Sequence, residues 1–189
     1  SGSDWNEIYV ADRATHRLLS DHIMWAKFTG VEWLGDGFFY SAYDAPEGSE
    51  LSSKNEYHKV KYHRIGTPQS DDRLFYQNPS QPLRFYEVSV NKEETVMYLT
   101  EAGMDNGNNL YVRDMTQADA QFIQMCSDSR YIYAPVETVG NRMYILTNAG
   151  APKYRLMVAD VSNPGYADWK ELVGEGESVL EDVTFTADN

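Results

Sequence analysis

The chain has 189 residues, with 16 Lys and Arg against 29 Asp and Glu, a formal net charge of −13. Such a charge argues against nucleic acid, because duplex binding depends on cations that neutralise phosphates, and against anionic membrane surfaces. Hydrophobic residues at 42% and charged residues at 24% are the proportions of a soluble globular chain and exclude a disordered one.

No run approaches the roughly 18 apolar residues of a spanning helix, so no membrane partner is expected. The single cysteine, Cys126, excludes an internal disulfide and a cysteine metal cluster. One thiol fits a reducing compartment without excluding a secreted one, so cytoplasmic and periplasmic locations both stay open. No signal peptide is visible at the start. Ser1-Gly2-Ser3 reads as an appended tripeptide or a native loop. The length allows one domain or part of a larger one.

Taken in chain order, the sequence predicts strands over 7–10, 37–43, 59–63, 73–76, 95–100, 109–112, 142–147 and 155–159, with a further short one over 16–19. These runs are rich in Val, Ile, Tyr and Phe and are bounded by Gly, Pro, Asn and Asp. In Lys59-Val60-Lys61-Tyr62-His63 the apolar Val60 and Tyr62 share one face. Helix signals are poor. The best candidate, 116–120, runs at once into the strand-like 121–125. Turns between strands, not helices, predict antiparallel all-β structure.

Four runs repeat: Glu7-Ile8-Tyr9-Val10-Ala11-Asp12, Lys59-Val60-Lys61-Tyr62-His63-Arg64, Asn109-Leu110-Tyr111-Val112-Arg113-Asp114 and Arg155-Leu156-Met157-Val158-Ala159-Asp160. They end at positions 12, 64, 114 and 160, spaced by 52, 50 and 46 residues. A second series precedes the last three and a third follows them. Each unit of roughly 50 residues holds about four strands, the size and content of a β-propeller blade. The expected fold is therefore an all-β propeller fragment of about three four-stranded antiparallel blades with partial blades at both ends. Its parts are a partial blade over 1–28, blades over about 29–78, 84–126 and 130–174, and the start of another over 178–189, with 179–186 as its first strand. Propellers close with about four to eight blades. The chain is then either a piece of a longer protein, the reading we favour, or a half that pairs with a second copy.

Catalytic signals are weak. The nearest approach to Gly-x-Ser-x-Gly is Gly176-Glu177-Ser178-Val179-Leu180, which lacks the last Gly and a following helix. His58 and His63 stand five apart, on opposite faces of one strand region, and read as solvent-facing strand histidines. No zinc pattern appears, and no metal or cofactor is expected. Asp105-Asn106-Gly107-Asn108-Asn109 has calcium-loop composition, but its Gly comes too early and the terminal Glu is missing, so it reads as a hairpin. Asp71-Asp72 and Glu93-Glu94 read as solvated turns, since adjacent carboxylates point different ways. Gly35-Asp36-Gly37 reads as a hairpin turn. Phe38, Phe39, Tyr40 and Tyr43 read as core between blades.

Longer stretches say more. Lys27-Phe28-Thr29-Gly30-Val31-Glu32-Trp33 leads into Gly35-Asp36-Gly37-Phe38-Phe39-Tyr40. His63-Arg64-Ile65-Gly66-Thr67-Pro68-Gln69-Ser70-Asp71-Asp72 follows, and later Thr147-Asn148-Ala149-Gly150-Ala151-Pro152 and Trp169-Lys170-Glu171-Leu172-Val173. In this order and spacing the chain resembles the propeller domain of the prolyl oligopeptidase family of serine peptidases, over essentially its whole length. The most specific parts are His-x-x-Gly-Thr-x-x-Ser-x-Asp and Thr-Asn-x-x-Ala-Pro.

The resemblance implies a parent protein with a seven-bladed propeller and an α/β-hydrolase domain bearing a Ser-Asp-His triad that cuts short peptides after proline. The propeller caps that site and excludes large folded substrates. The implied partners are the C-terminal hydrolase domain of the same protein and short proline-containing peptides. The triad is expected beyond Asn189, so this chain has no catalytic residue and is expected to be inactive alone. The resemblance matches three residues to the substrate cavity: Phe28, Met104, where some relatives have Cys, and Glu101, near a position where some relatives carry Arg. Two alternatives remain: an oligopeptidase B-like propeller, or a binding propeller with no enzyme attached.

Overall fold

The computed structural model describes residues 4–45 and 55–186. Ser1-Gly2-Ser3 lies outside them. Two compact units divide the chain, Ser1–Val88 and Ser89–Asn189. The described regular structure is almost all strand, with two short 3₁₀ turns at Gln69–Asp71 and Tyr166–Asp168. None of the described helices is long and apolar enough to cross a membrane.

The first sheet has five strands in chain order: β1 (Asn6–Ala11), β2 (Leu18–Leu34), β3 (Gly37–Ala42), β4 (Lys59–Arg64) and β5 (Arg73–Gln77). All neighbours are antiparallel. The long strand β2 is not one straight ladder. Its first part pairs with β1 and its second with β3, and the register shifts between Ala26 and Val31. Trp25 and Phe28 adopt φ of 61° and 48°, a left-handed conformation that costs free energy for bulky side chains. This kink brings Val10, Ile23 and Ala26 into one cluster with Phe38, Tyr40 and Ala42. The strands over 7–10 and 16–19 are thus one hairpin, continuous with the following blade. Its second arm extends well past the predicted run.

Strand β3 is buried along its whole length, as a strand covered on both faces must be. Phe38 and Tyr40 face the cluster just described. Ser41, on the other face, donates to the Tyr86 carbonyl at 2.7 Å. The β2–β3 turn is tight, with Leu34 opposite Gly37 and Gly35 at φ 63°. A Cβ at Gly37 would stand 2.0 Å from the His63 carbonyl oxygen. Gly37→Ala is therefore expected to destabilise by about 3 kcal/mol, read as a lower urea midpoint with unchanged m-value.

The second sheet runs β6 (Phe85–Val90), β7 (Val96–Ala102), β8 (Asn108–Asp114), β9 (Ile123–Cys126), and the third β10 (Tyr133–Val139), β11 (Arg142–Thr147), β12 (Arg155–Asp160), β13 (Lys170–Val173). In the second unit one core joins Val96, Tyr98, Leu110 and Val112 to Met143, Ile145, Met157 and Trp169. Pro135 sits in β10, where a Pro is tolerated because β10 is an edge strand and is bulged between Pro135 and Glu137. Asn108 ties β8 to β10: its amide donates to the Tyr133 carbonyl at 3.0 Å and accepts from the Tyr133 N–H at 3.1 Å.

One expected element, the strand over 179–186, is absent. The stretch 116–120 forms turns, begun by Asp114, which accepts from the Thr116 N–H and hydroxyl. The run 179–186 forms no ladder. It is held instead by the Leu180 N–H on the Lys153 carbonyl and by Phe185 against the Tyr144 ring, centroids 4.6 Å apart. A strand exists only where a neighbour accepts its hydrogen bonds.

Candidate functional site

Phe28 lies at the kink of β2 and is half exposed. Its ring stacks on Phe85, centroids 5.1 Å apart, and tilts against His58 at 6.5 Å. The Lys27 ammonium stands 5.5 Å from the Phe28 ring and 5.2 Å from Trp5, within cation–π range. It also donates to Asn55 Oδ1 at 3.4 Å.

His58 is buried, which corrects the expectation of a solvent-facing side chain. Nδ1 accepts from the Tyr86 N–H at 2.9 Å, so the ring proton sits on Nε2 and is donated to the Lys27 carbonyl at 2.8 Å. Burial pushes its pKa down to about 4, and the bond to the Lys27 carbonyl offsets only part of that.

His63 is buried as well, on the opposite face beside Phe38. Its Nδ1 lies 2.7 Å from Asp72 Oδ1 and its Nε2 3.0 Å from Asp21 Oδ1. Asp72 also accepts from the Tyr40 hydroxyl at 2.6 Å, and Asp21 from the Gly66 N–H. Burial works to raise the Asp21 carboxyl, but the Gly66 N–H and the His63 ring together hold it below the usual carboxylate range. Asp72 is thus no solvated turn residue, whereas its neighbour Asp71 is exposed. The spacing argument placed the two histidines on opposite faces correctly. It missed that both faces of this sheet are covered. Fully buried, the Asp-His-Asp group has no access for a substrate and serves as structure. Asp21 carries no local sequence signal. His63 and Asp72 stand at the two ends of the specific His-x-x-Gly-Thr-x-x-Ser-x-Asp stretch.

In the second unit, Glu101 and Met104 belong to one hairpin. Glu101 is on β7, directly opposite Asn109 on β8, whose amide donates to its carboxylate at 2.9 Å. Glu101 is buried, while Met104, in the loop after β7, is 91% exposed. That loop returns through Gly107, where a Cβ would stand 1.8 Å from the Tyr131 carbonyl oxygen. The hairpin reading of Asp105-Asn106-Gly107-Asn108-Asn109 is the one observed. Phe28 lies in the first unit, apart from this pair in the chain.

No nucleophile emerges from the described residues. Ser178 is exposed in a bend with no helix after it. Cys126 is buried, and burial pushes its thiol up to about 12, far from a reactive thiolate. Among the described residues there is no group of three or more His, Cys, Asp and Glu able to hold a metal.

Three antiparallel sheets in succession along the chain, one of five strands and two of four, define a piece of a β-propeller. A family model for the prolyl oligopeptidase N-terminal beta-propeller domain matches residues 1–189, and the chain belongs to that family. A prolyl endopeptidase of Elizabethkingia meningoseptica is 36% identical over 182 residues, covering 95% of this chain and 26% of that relative. A structure from a study of two prolyl endopeptidases, concerned with inter-domain dynamics in catalysis and specificity, superposes with a TM-score of 0.83. It is 28% identical and covers 96% of this chain and 26% of that one. Oligopeptidase B from Leishmania major shares the fold, with a TM-score of 0.66 at 19% identity over 94% of this chain and 24% of that one. The chain spans about a quarter of the length of the curated relatives it matches.

Proposed function

We propose that this chain is the gating part of a prolyl peptidase: its blades admit short peptides to a serine-triad α/β-hydrolase domain of the same protein and exclude large folded ones. The observation that carries this reading is the match of the propeller family model along the chain, joined to a prolyl endopeptidase relative at 36% identity. The inter-domain dynamics named for the similar prolyl endopeptidases support a gate that opens and closes. Acyl transfer needs an activated serine beside a base and an oxyanion hole, and the described residues of this chain supply scaffold instead.

Within this reading Phe28, in the first unit, and Met104, in the second, each offer apolar surface to the peptide. Phe28 is exposed on a rigid, strained support, and Met104 offers a soft thioether on a hairpin tip. Glu101, engaged by Asn109, holds the hairpin that carries Met104. The family resemblance puts it near a position where some relatives carry Arg.

The test has two arms. The 189-residue chain alone is expected to show no hydrolysis of a short proline peptide that is sensitive to a serine-directed inhibitor, and such hydrolysis would sink the reading. The intact protein is expected to prefer proline over arginine at the cleaved position and to lose its size limit when the propeller is removed. A preference for arginine would favour the oligopeptidase B-like alternative, whose fold this chain shares.

A further inference from the structure

The kink in β2 gathers a core cluster, and it also holds two bulky residues in a strained backbone that side chains from other segments fix in place. Two aromatic residues, Trp25 and Phe28, hold left-handed backbone within one short stretch. Such strain persists only where the surroundings over-determine it, and it concentrates at functional sites. Side chains from outside β2 grip the backbone at both ends of this stretch. At the first end, Gln69 accepts from the Met24 N–H at 3.0 Å and donates to the Met24 carbonyl at 2.9 Å. At the second, His58 donates to the Lys27 carbonyl, and its other nitrogen is itself fixed by the Tyr86 N–H. The bond at Lys27 lies in the peptide unit that leads directly into Phe28.

We propose that His58 is a positioning residue for the peptide-binding wall, setting the backbone at Lys27 so that the Phe28 ring is presented to substrate. This rests on the reading of Phe28 as cavity wall. Phe28 has little else to fix it. Half its surface is open, and its remaining partners are the Phe85 face, the edge of the His58 ring and the Lys27 ammonium. With the Lys27 carbonyl released, the left-handed φ at Phe28 relaxes and the ring leaves its place on Phe85. The loss is one of binding, not of chemistry, because His58 touches neither peptide nor reacting atoms.

Two conservative variants separate positioning from mere structure. In His58→Gln the side-chain amide falls near the place of Nε2 and keeps the bond to Lys27. In His58→Asn it falls near Nδ1 and keeps only the bond from Tyr86. In the intact peptidase, with a short proline peptide as substrate, His58→Asn is expected to raise KM about tenfold with kcat within about twofold, and His58→Gln to stay within about twofold of the parent in both. On a Phe28→Ala background, His58→Asn should add nothing further. Equal behaviour of the Asn and Gln variants, a fall in kcat instead of a rise in KM, or an undiminished effect without Phe28 would each overturn the proposal. If Phe28→Ala alone leaves KM unchanged, the wall reading itself fails, which is a separate result. Should His58→Asn not fold, His58→Phe, which keeps the ring volume and loses both bonds, gives the same comparison against Phe28→Ala.

Discussion

Asp72→Ala is expected to lower the free energy of unfolding by about 3–5 kcal/mol, while Asp71→Ala one residue earlier changes it by less than about 0.5 kcal/mol. The contrast follows from burial. The Asp72 carboxylate is inaccessible and meets both the His63 ring and the Tyr40 hydroxyl. Its removal leaves a buried hydroxyl and a ring nitrogen without acceptors, and breaks one side of a group in which His63 stands between two carboxylates. Truncating one member of such a group is costly because the others stay desolvated. Asp71 is exposed and accepts only a 3.2 Å bond from the neighbouring Ser70 hydroxyl. Urea titrations of the two variants at pH 7 make the comparison. Equal midpoints would show that the buried group contributes nothing to stability.

Acid is expected to weaken the fold through His58, by about 3 kcal/mol between pH 6.5 and pH 4. The folded ring titrates at about 4 because burial disfavours the imidazolium, against an ordinary value of 6.5 when the chain is unfolded. Between those values the unfolded state binds the proton that the folded state refuses. Stability is therefore fully present above pH 6.5, falls as the pH drops towards 4, and changes no further below that. Protonation of Nδ1 also removes the acceptor of the Tyr86 N–H. The groups nearby do not compensate: the Lys27 ammonium, which contacts the Phe28 ring packed on His58, carries positive charge, and the Tyr43 hydroxyl is itself pushed up by burial and stays neutral. Unfolding free energies from pH 4 to 7.5, compared between the parent and His58→Gln, isolate the effect. Parallel curves would rule it out.

Much of the architecture was legible from residue types. Period-two alternation and turn chemistry placed β3, β4, β5, β7, β8, β11 and β12 within a residue or two of their observed bounds. Gly35-Asp36 marked its hairpin because a tight turn needs a residue that accepts positive φ. Two strands escaped. Strand β10 contains Pro135, which local rules count against a strand until its edge position is known. Strand β6 follows a stretch rich in Pro and Gln and repeats no earlier run. The predicted run over 16–19 covers only the start of β2, because the polar Ser20-Asp21-His22 follows it directly and the kink at Trp25 and Phe28 lies beyond.

Of the candidate site, residue identity alone carried less. The family resemblance pointed to Phe28, Glu101 and Met104, and the chain shows one half exposed, one buried and one at a hairpin tip. The family stretch singles out Asp72 over Asp71 without saying that it is buried, and nothing local distinguishes a buried His58 from a solvent-facing one. Strand periodicity reports which face a side chain takes, and it assigned His58 and His63 to opposite faces. It cannot report what covers each face, because that depends on contacts far apart in the chain: Tyr86 over one side of β3, and Val10 and Ile23 over the other. Short-range backbone preference thus decided the strands, the turns and the repeat. Burial, and with it the proton on each histidine and the strain stored at Phe28, was decided only when distant segments met.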